Sequence, residues 1–211
     1  MPETAKIKVI LFDLGGVLVE LDGPPLKAHW LKQEISVEEN WRLWARSSLV
    51  EAFESGHIST REFTTGLIDE FQLNVSEEEF VREFTAWPKG LFPGTELWLK
   101  HLQQHYVLAC YSNTSELHWP RLLGEMNLQS LLDHCFASFL LGCYKPALKG
   151  FELIVENLQV KAGEVLFLDD NAVNVEAAQA AGLQAKQVKS LAGAQRAISS
   201  LNLDIHLEID G

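Results

Sequence analysis

Lys8-Val9-Ile10-Leu11-Phe12-Asp13-Leu14-Gly15-Gly16-Val17-Leu18 carries an apolar run of strand length into a carboxylate and two glycines. Fully buried parallel strands read as continuous apolar runs, and in an open parallel sheet the ligand crevice lies beyond their carboxyl ends. The pattern occurs twice more. Tyr106-Val107-Leu108-Ala109-Cys110-Tyr111 runs into Ser112-Asn113-Thr114, and Val165-Leu166-Phe167-Leu168 into Asp169-Asp170. Three strands ending in this way bring their last side chains to one crevice. Carboxylates at the first and third ends offer oxygen ligands to a hard cation, for which magnesium is the default. The hydroxyl and amides of the second, with Lys145 in the turn Gly142-Cys143-Tyr144-Lys145-Pro146, offer donors and positive charge to a dianionic group such as phosphate.

The segment between the first two runs is built differently. Ser36 with Glu39, Ser59 with Glu62 and Ser76 with Glu79 are capping-box pairs, each at the head of an amphipathic run. The spacing predicts helices over 25–33, 37–46, 60–71 and 77–87, with no strand between Val19 and Gln104 and with Trp30, Trp41, Trp44 and Trp87 as a small core. After Pro93-Gly94 a helix to about Gln104 returns the chain to the sheet. Helices over 147–158 and 174–181, the latter closed by Gly182, then alternate with strands over 165–168 and 184–188. The fold expected is α/β: a doubly wound, Rossmann-like parallel sheet from residues 1–20 and 90–211, with an inserted all-helical cap domain over 21–89. The tail 201–211 carries no legible signal.

The chain has 211 residues, enough for one such domain and a small insertion. With 29 acidic and 17 basic residues its net charge is −12, which argues against nucleic-acid and anionic-membrane partners. The polar start Met1-Pro2-Glu3-Thr4-Ala5-Lys6 and the break at Asp13 predict neither a signal peptide nor a membrane span, hence a cytoplasmic protein. Cys110, Cys135 and Cys143 form no CxxC pair and read as reduced, structural thiols.

Taken together, Phe12-Asp13-Leu14-Gly15-Gly16-Val17-Leu18, Tyr111-Ser112-Asn113-Thr114, Lys145-Pro146 and the stretch from Phe167-Leu168-Asp169-Asp170 to Asn174 and Ala178 resemble, in order and spacing, the four motifs of the haloacid dehalogenase superfamily. The branch resembled is the one whose helical cap follows the first motif. Its Phe-Asp-Leu-Gly-Gly-Val-Leu form is similar to that of sugar-1-phosphate phosphatases. The resemblance implies a magnesium-dependent phosphatase acting on a small phosphorylated metabolite. Asp13 would attack phosphorus and form an aspartyl phosphate. Metal would be held by Asp13, the Gly15 carbonyl and Asp170, with Asp169 binding directly or through water. Ser112 and the amides of Leu14, Asn113 and Thr114 would receive the phosphate, Lys145 would balance charge, and Asn174 would hold Lys145. His118 is a candidate substrate contact, and Arg46, Glu54 and His57 are cap candidates for reading the leaving group.

One departure stands out. Most phosphatases of the superfamily carry a second Asp two positions after the nucleophile, where this chain has Gly15, and position 147, often acidic, is Ala147. The missing acid implies a loss of roughly 10² to 10⁴ in leaving-group assistance and a preference for esters of acidic alcohols. Two other readings share the fold: a metal-free haloacid dehalogenase, against which the Asp169-Asp170 pair speaks, and a non-catalytic binding protein.

Overall fold

The computed structural model describes residues 6–201. In chain order its elements are β1 (Val9–Phe12), β2 (Val19–Leu21), α1 (Val37–Arg46), α2 (Ser48–Glu54), α3 (Thr60–Glu70), α4 (Glu77–Thr85), β3 (Pro88–Leu91), α5 (Thr95–Leu102) and β4 (Val107–Ser112). They continue through α6 (Leu128–Leu131), β5 (His134–Ala137), α7 (Ser138–Leu141), α8 (Leu148–Leu158), β6 (Val165–Asp169), α9 (Ala172–Ala180), β7 (Gln184–Gln187) and α10 (Ser190–Ser199).

Five strands form one parallel sheet in the order β5-β4-β1-β6-β7. Successive side chains alternate between its two faces. Ile10, Phe12, Leu108, Cys110, Leu166 and Leu168 therefore pack with residues of α5, α6 and α10. Val9, Leu11, Ala109, Tyr111, Val165 and Phe167 pack with residues of α8 and α9 on the other face. The result is the three-layer α/β architecture expected. The strand order reverses at β1, so the crevice for a ligand opens where β1, β4 and β6 end.

Between β2 and β3 the chain is helical, with its own aromatic cluster of Trp30, Trp44, Phe53, Phe63, Phe80, Phe84 and Trp87. Phe53 and Phe63 stack with centroids 4.1 Å apart. Of the four tryptophans expected inside, Trp41 is 38% exposed. Ser36, Ser59 and Ser76 each accept from the amide of Glu39, Glu62 and Glu79, but of these glutamates it is Glu62 that returns the bond to its cap residue, at 2.9 Å.

Several expectations fail locally. The stretch 25–33 forms just a 3-10 turn over Ala28–Trp30. Pro24 and Pro25 restrict it, and its polar groups are taken by tertiary partners: the Leu26 amide donates to Asn40 Oδ1 and its carbonyl accepts from Asn40 Nδ2. The strand-free segment 19–104 holds the antiparallel pair β2 and β3, short and paired with each other. The short helix α2, the edge strand β5 and the helix α10 had no counterpart in the sequence reading. Residues 202–211 of the silent tail lie outside the described residues. No helix among the described residues is long and apolar enough to cross a membrane, and all three cysteines are free thiols.

Candidate active site

Each strand end supplies one part of a polar floor. Asp13 follows β1 directly, its amide bonded to the Leu168 carbonyl of β6 at 2.8 Å. Ser112 closes β4, Asp169 closes β6, and Lys145 enters from the turn after α7. Lys145 Nζ donates to Asp13 Oδ1 at 2.8 Å, to Asp169 Oδ2 at 2.7 Å and to the Tyr111 carbonyl at 3.0 Å. It also lies 5.3 Å from the ring centroids of Tyr111 and Phe167. Burial works against the ammonium charge, but Asp13 and Asp169 outweigh it and hold Lys145 well above its usual range. Burial lifts the Asp13 carboxyl to about 7, with Lys145 pulling it down and Asp169 and Asp170 pushing it up.

Asp169 is enclosed. Besides Lys145 it accepts from the Asn171 amide at 2.8 Å and from Asn174 Nδ2 at 3.0 and 3.2 Å. Asn174 thus reaches Lys145 through Asp169, with no direct bond between the two. Asp170 lines the cavity above the floor and stays open to solvent on one side; partial burial of its carboxyl and the neighbouring Asp169 charge raise it. The helix α9 that follows is capped by Asn171, whose side chain accepts from the Val173 amide. Gly16 has φ +71°, and a Cβ there would come 2.8 Å from Asp170 Oδ2, so the carboxylate needs glycine beside it. Gly15 has no such requirement: an added Cβ would meet the movable Leu21 side chain at 3.3 Å.

The second strand end is arranged differently from the reading of its sequence. The Asn113 side chain clamps the Lys145 backbone, accepting from its amide at 2.8 Å and donating to its carbonyl at 3.0 Å. The Thr114 amide, expected to face phosphate, donates to Ser138 Oγ at 3.0 Å instead. The Thr114 hydroxyl, by contrast, is buried without a hydrogen-bond partner among the described residues. The amides of Leu14 and Asn113 and the Gly15 carbonyl likewise bond to no described residue.

Above this floor is a cavity of about 210 Å³. Its wall includes Asp13, Leu14, Gly15, Ser112, Asn113, Thr114, His118, Lys145, Asp170 and Asn174, so the structure brings these predicted residues together, with Asp169 just behind them. Of the cap candidates Glu54 lines the cavity, whereas Arg46 and His57 are exposed outside its wall. The sequence reading missed the cap side of the wall: Leu21, Trp41, Trp44 and Trp87, the tryptophans assigned there to the cap core alone. His118 is buried, its Nε2 bonded to the Phe84 carbonyl of α4 at 2.7 Å and its ring 4.4 Å from that of Phe84. Burial lowers it to about 4, so it is neutral near pH 7 and its Nε2 proton is committed to the cap backbone.

A carboxylate-lysine-carboxylate floor at the switch point of a parallel sheet, roofed by a helical insertion, marks a three-layer α/β protein with its crevice beneath the insertion. The chain belongs to the haloacid dehalogenase-like hydrolase family, whose model matches residues 7–182. It is 30% identical to Phosphatase MT3486 of Mycobacterium tuberculosis, across 92% of this chain and 95% of the relative. It is 28% identical to a D-ribitol-5-phosphate phosphatase of Bacteroides thetaiotaomicron, across 86% of this chain and 91% of the relative. The fold is shared with a family enzyme from the same bacterium solved in complex with magnesium and inorganic phosphate: TM-score 0.70, 22% identity, 87% of this chain and 94% of that one. The family generally works with a divalent metal.

Proposed function

We propose that this chain is a magnesium-dependent phosphatase that hydrolyses small phosphate monoesters through an aspartyl phosphate on Asp13. The observation that carries the reading is the Asp13 carboxylate at the end of β1, with Oδ1 bonded to buried Lys145 at 2.8 Å and the other oxygen left for attack. The chain's phosphatase relatives point the same way.

The donor set suits magnesium. Asp13, Asp169 and Asp170 each offer an oxygen, and these lie within 4.8 Å of one another. Asp13, Asp170 and the Gly15 carbonyl would hold the ion, while Asp169 fixes Lys145. The metal would supply positive charge against the nucleophile and the phosphate oxygens. In the remaining chemistry the carboxylate of Asp13 attacks phosphorus. Ser112 Oγ, the Leu14 and Asn113 amides and Lys145 receive the charge that builds on the phosphoryl oxygens, a contribution of electrostatic preorganisation. Core residues 1–20 and 90–211 supply this machinery and cap residues 21–89 the leaving-group wall, with β2 and β3 as linkers that let the cap open and close. The indoles of Trp41, Trp44 and Trp87 suit a leaving group with an apolar face.

Purified protein assayed against phosphorylated metabolites with magnesium, then with EDTA, tests this reading, with Asp13→Asn as the blank. Turnover that vanishes in EDTA and returns with magnesium is the expected result. Full activity in EDTA with halide released from a haloacid would establish the dehalogenase reading instead, and no turnover at all would favour a binding protein.

A further inference from the structure

Gly15 removes the acid that the family usually places beside the nucleophile, yet the cavity is not short of ionisable groups. Asp13, Glu54, His118, Tyr144, Lys145 and Asp170 all line it. Most are committed. Asp13 and Asp170 belong to attack and metal, Lys145 is held between two carboxylates, and the Nε2 proton of His118 is given to the Phe84 carbonyl. The Tyr144 phenol is raised by burial, with Glu54 adding to the shift, which makes it a poor acid.

Glu54 has no such commitment. It ends α2, is 4% exposed, and no described residue forms a hydrogen bond to its carboxyl. It lines the cavity from the cap, together with Trp41, Trp44 and Trp87. A buried carboxyl without partners is costly unless protonated or in use. A leaving group expelled by Asp13 from the core side departs toward the cap, the side on which Glu54 stands.

We propose that Glu54 is the proton donor to the leaving oxygen and afterwards the base that activates water, taking the place of the acid absent at position 15. The proposal rests on the phosphatase reading. In the first step an Asp13 oxygen bonds to phosphorus, the bond from phosphorus to the leaving oxygen breaks, and that oxygen takes the Glu54 proton and leaves as the alcohol. In the second, water attacks phosphorus and gives its proton to the Glu54 carboxylate. The aspartyl bond breaks, and inorganic phosphate and the Asp13 carboxylate are released. Electrostatics agree. Burial lifts the Glu54 carboxyl to about 8, Asp13 adding to the rise and Lys145 opposing it, so the acid is loaded near neutrality. Lys145, Asp13 and Tyr144 face it from the core. The helices beside α2 keep charged residues such as Arg46 and Glu62 exposed, and α7 carries none.

The experiment compares Glu54→Gln with the unaltered chain, in magnesium, on ethyl phosphate and on para-nitrophenyl phosphate. The amide matches the protonated carboxyl in shape, so folding is preserved and only the transferable proton is lost. The expected result is a fall in kcat of about 10² to 10³ for the ethyl ester, whose leaving oxygen needs the proton; for the aryl ester, which does not, the first-turnover release of para-nitrophenol should slow by no more than about threefold while steady turnover falls with the loss of the base in the shared second step. In the unaltered chain, kcat for the ethyl ester should fall above about pH 8, as Glu54 ionises. The aryl ester should lack that limb. Equal losses for both esters in the first turnover, or a raised KM with kcat intact, would make Glu54 a substrate contact or a structural residue and overturn the proposal. Failure of the unaltered chain to hydrolyse either ester would overturn the phosphatase reading and the proposal with it.

Discussion

The floor and the roof of the cavity are held together by different physics. On the floor, Lys145 donates to three acceptors, Asp169 accepts from Lys145, Asn171 and Asn174, and the Asn113 side chain is closed on the Lys145 backbone. On the roof, Trp41, Trp44, Trp87 and Leu21 meet through ring and methyl contacts, and the one buried carboxyl, Glu54, is bonded to no described residue. Charge–charge hydrogen bonds are directional and fix atoms to fractions of an ångström, whereas apolar packing tolerates substitution of similar volume. The contrast separates two tasks. The floor can keep one reaction geometry while the roof changes its leaving group.

Breaking the floor should have the largest effect. Lys145→Met keeps the stem but removes the ammonium, leaving the buried Asp13 and Asp169 carboxylates facing one another without compensation. Unpaired buried charge of this kind costs about 3–5 kcal/mol, read here as a lowered urea midpoint at pH 7. Turnover should fall to the level of the Asp13→Asn blank. The loss in stability should shrink on acidification, because a carboxyl with a raised pKa, about 7 for Asp13 with Lys145 present and higher without it, takes up a proton readily and ends the repulsion. A variant as stable as the unaltered protein would mean that the floor is not held by charge.

The same contrast governs what could be read in the sequence. The floor was legible because β1, β4 and β6 are buried on both faces, so their apolar runs stand out and their polar ends mark the crevice. The edge strand β5, His134-Cys135-Phe136-Ala137, is partly exposed and carries no such run. The Thr114 amide was misplaced because its acceptor, Ser138, lies 24 residues on, and no local rule connects them. On the roof, Arg46, Glu54 and His57 are equivalent polar residues on a helical segment until α2 docks. That docking buries Glu54 and leaves the other two in solvent.

Between floor and roof runs a seam, and breaking it should have an intermediate effect. Gly56 has φ +72°, and a Cβ there would overlap the Phe139 carbonyl oxygen of α7. Thr60 Oγ1 bonds to Glu116 Oε1 nearby, and His118 joins the seam at Phe84. Gly56→Ala should therefore push the cap off the core. A displacement of about 1 Å can cost 10²-fold in rate, so kcat/KM should fall by about 10- to 100-fold, while the core keeps its unfolding free energy to within about 1 kcal/mol. Hydrogen exchange should accelerate in the linkers 19–23 and 88–93 and stay unchanged in β1. Linkers already as protected as the core strands, and unaffected by substrate, would rule out cap gating.

The smallest effect belongs to the roof itself and sharpens the comparison most. Trp41 is 38% exposed, with its ring centroid 5.8 Å from that of Trp87 and its side facing the cavity beside Trp44. It contributes to the wall without being enclosed by the cap core, so Trp41→Ala removes contact area from a bound leaving group more than from the folded protein. Stability should change by no more than about 1 kcal/mol, as for other partly exposed sites. For an ester whose leaving group is no larger than ethyl, kcat and KM should both hold, since such a group does not reach the indole. For an ester with an aryl or sugar ring, KM should rise by about 3- to 10-fold, the loss of one aromatic contact worth about 0.5–1.5 kcal/mol, with kcat kept. That split, KM moving with leaving-group size while kcat stays, is what a wall separate from the chemistry must give. A fall in kcat equal for small and large esters would instead show that Trp41 helps to close the cap over the floor, and the division between a charged, fixed floor and an apolar, adjustable roof would have to be abandoned.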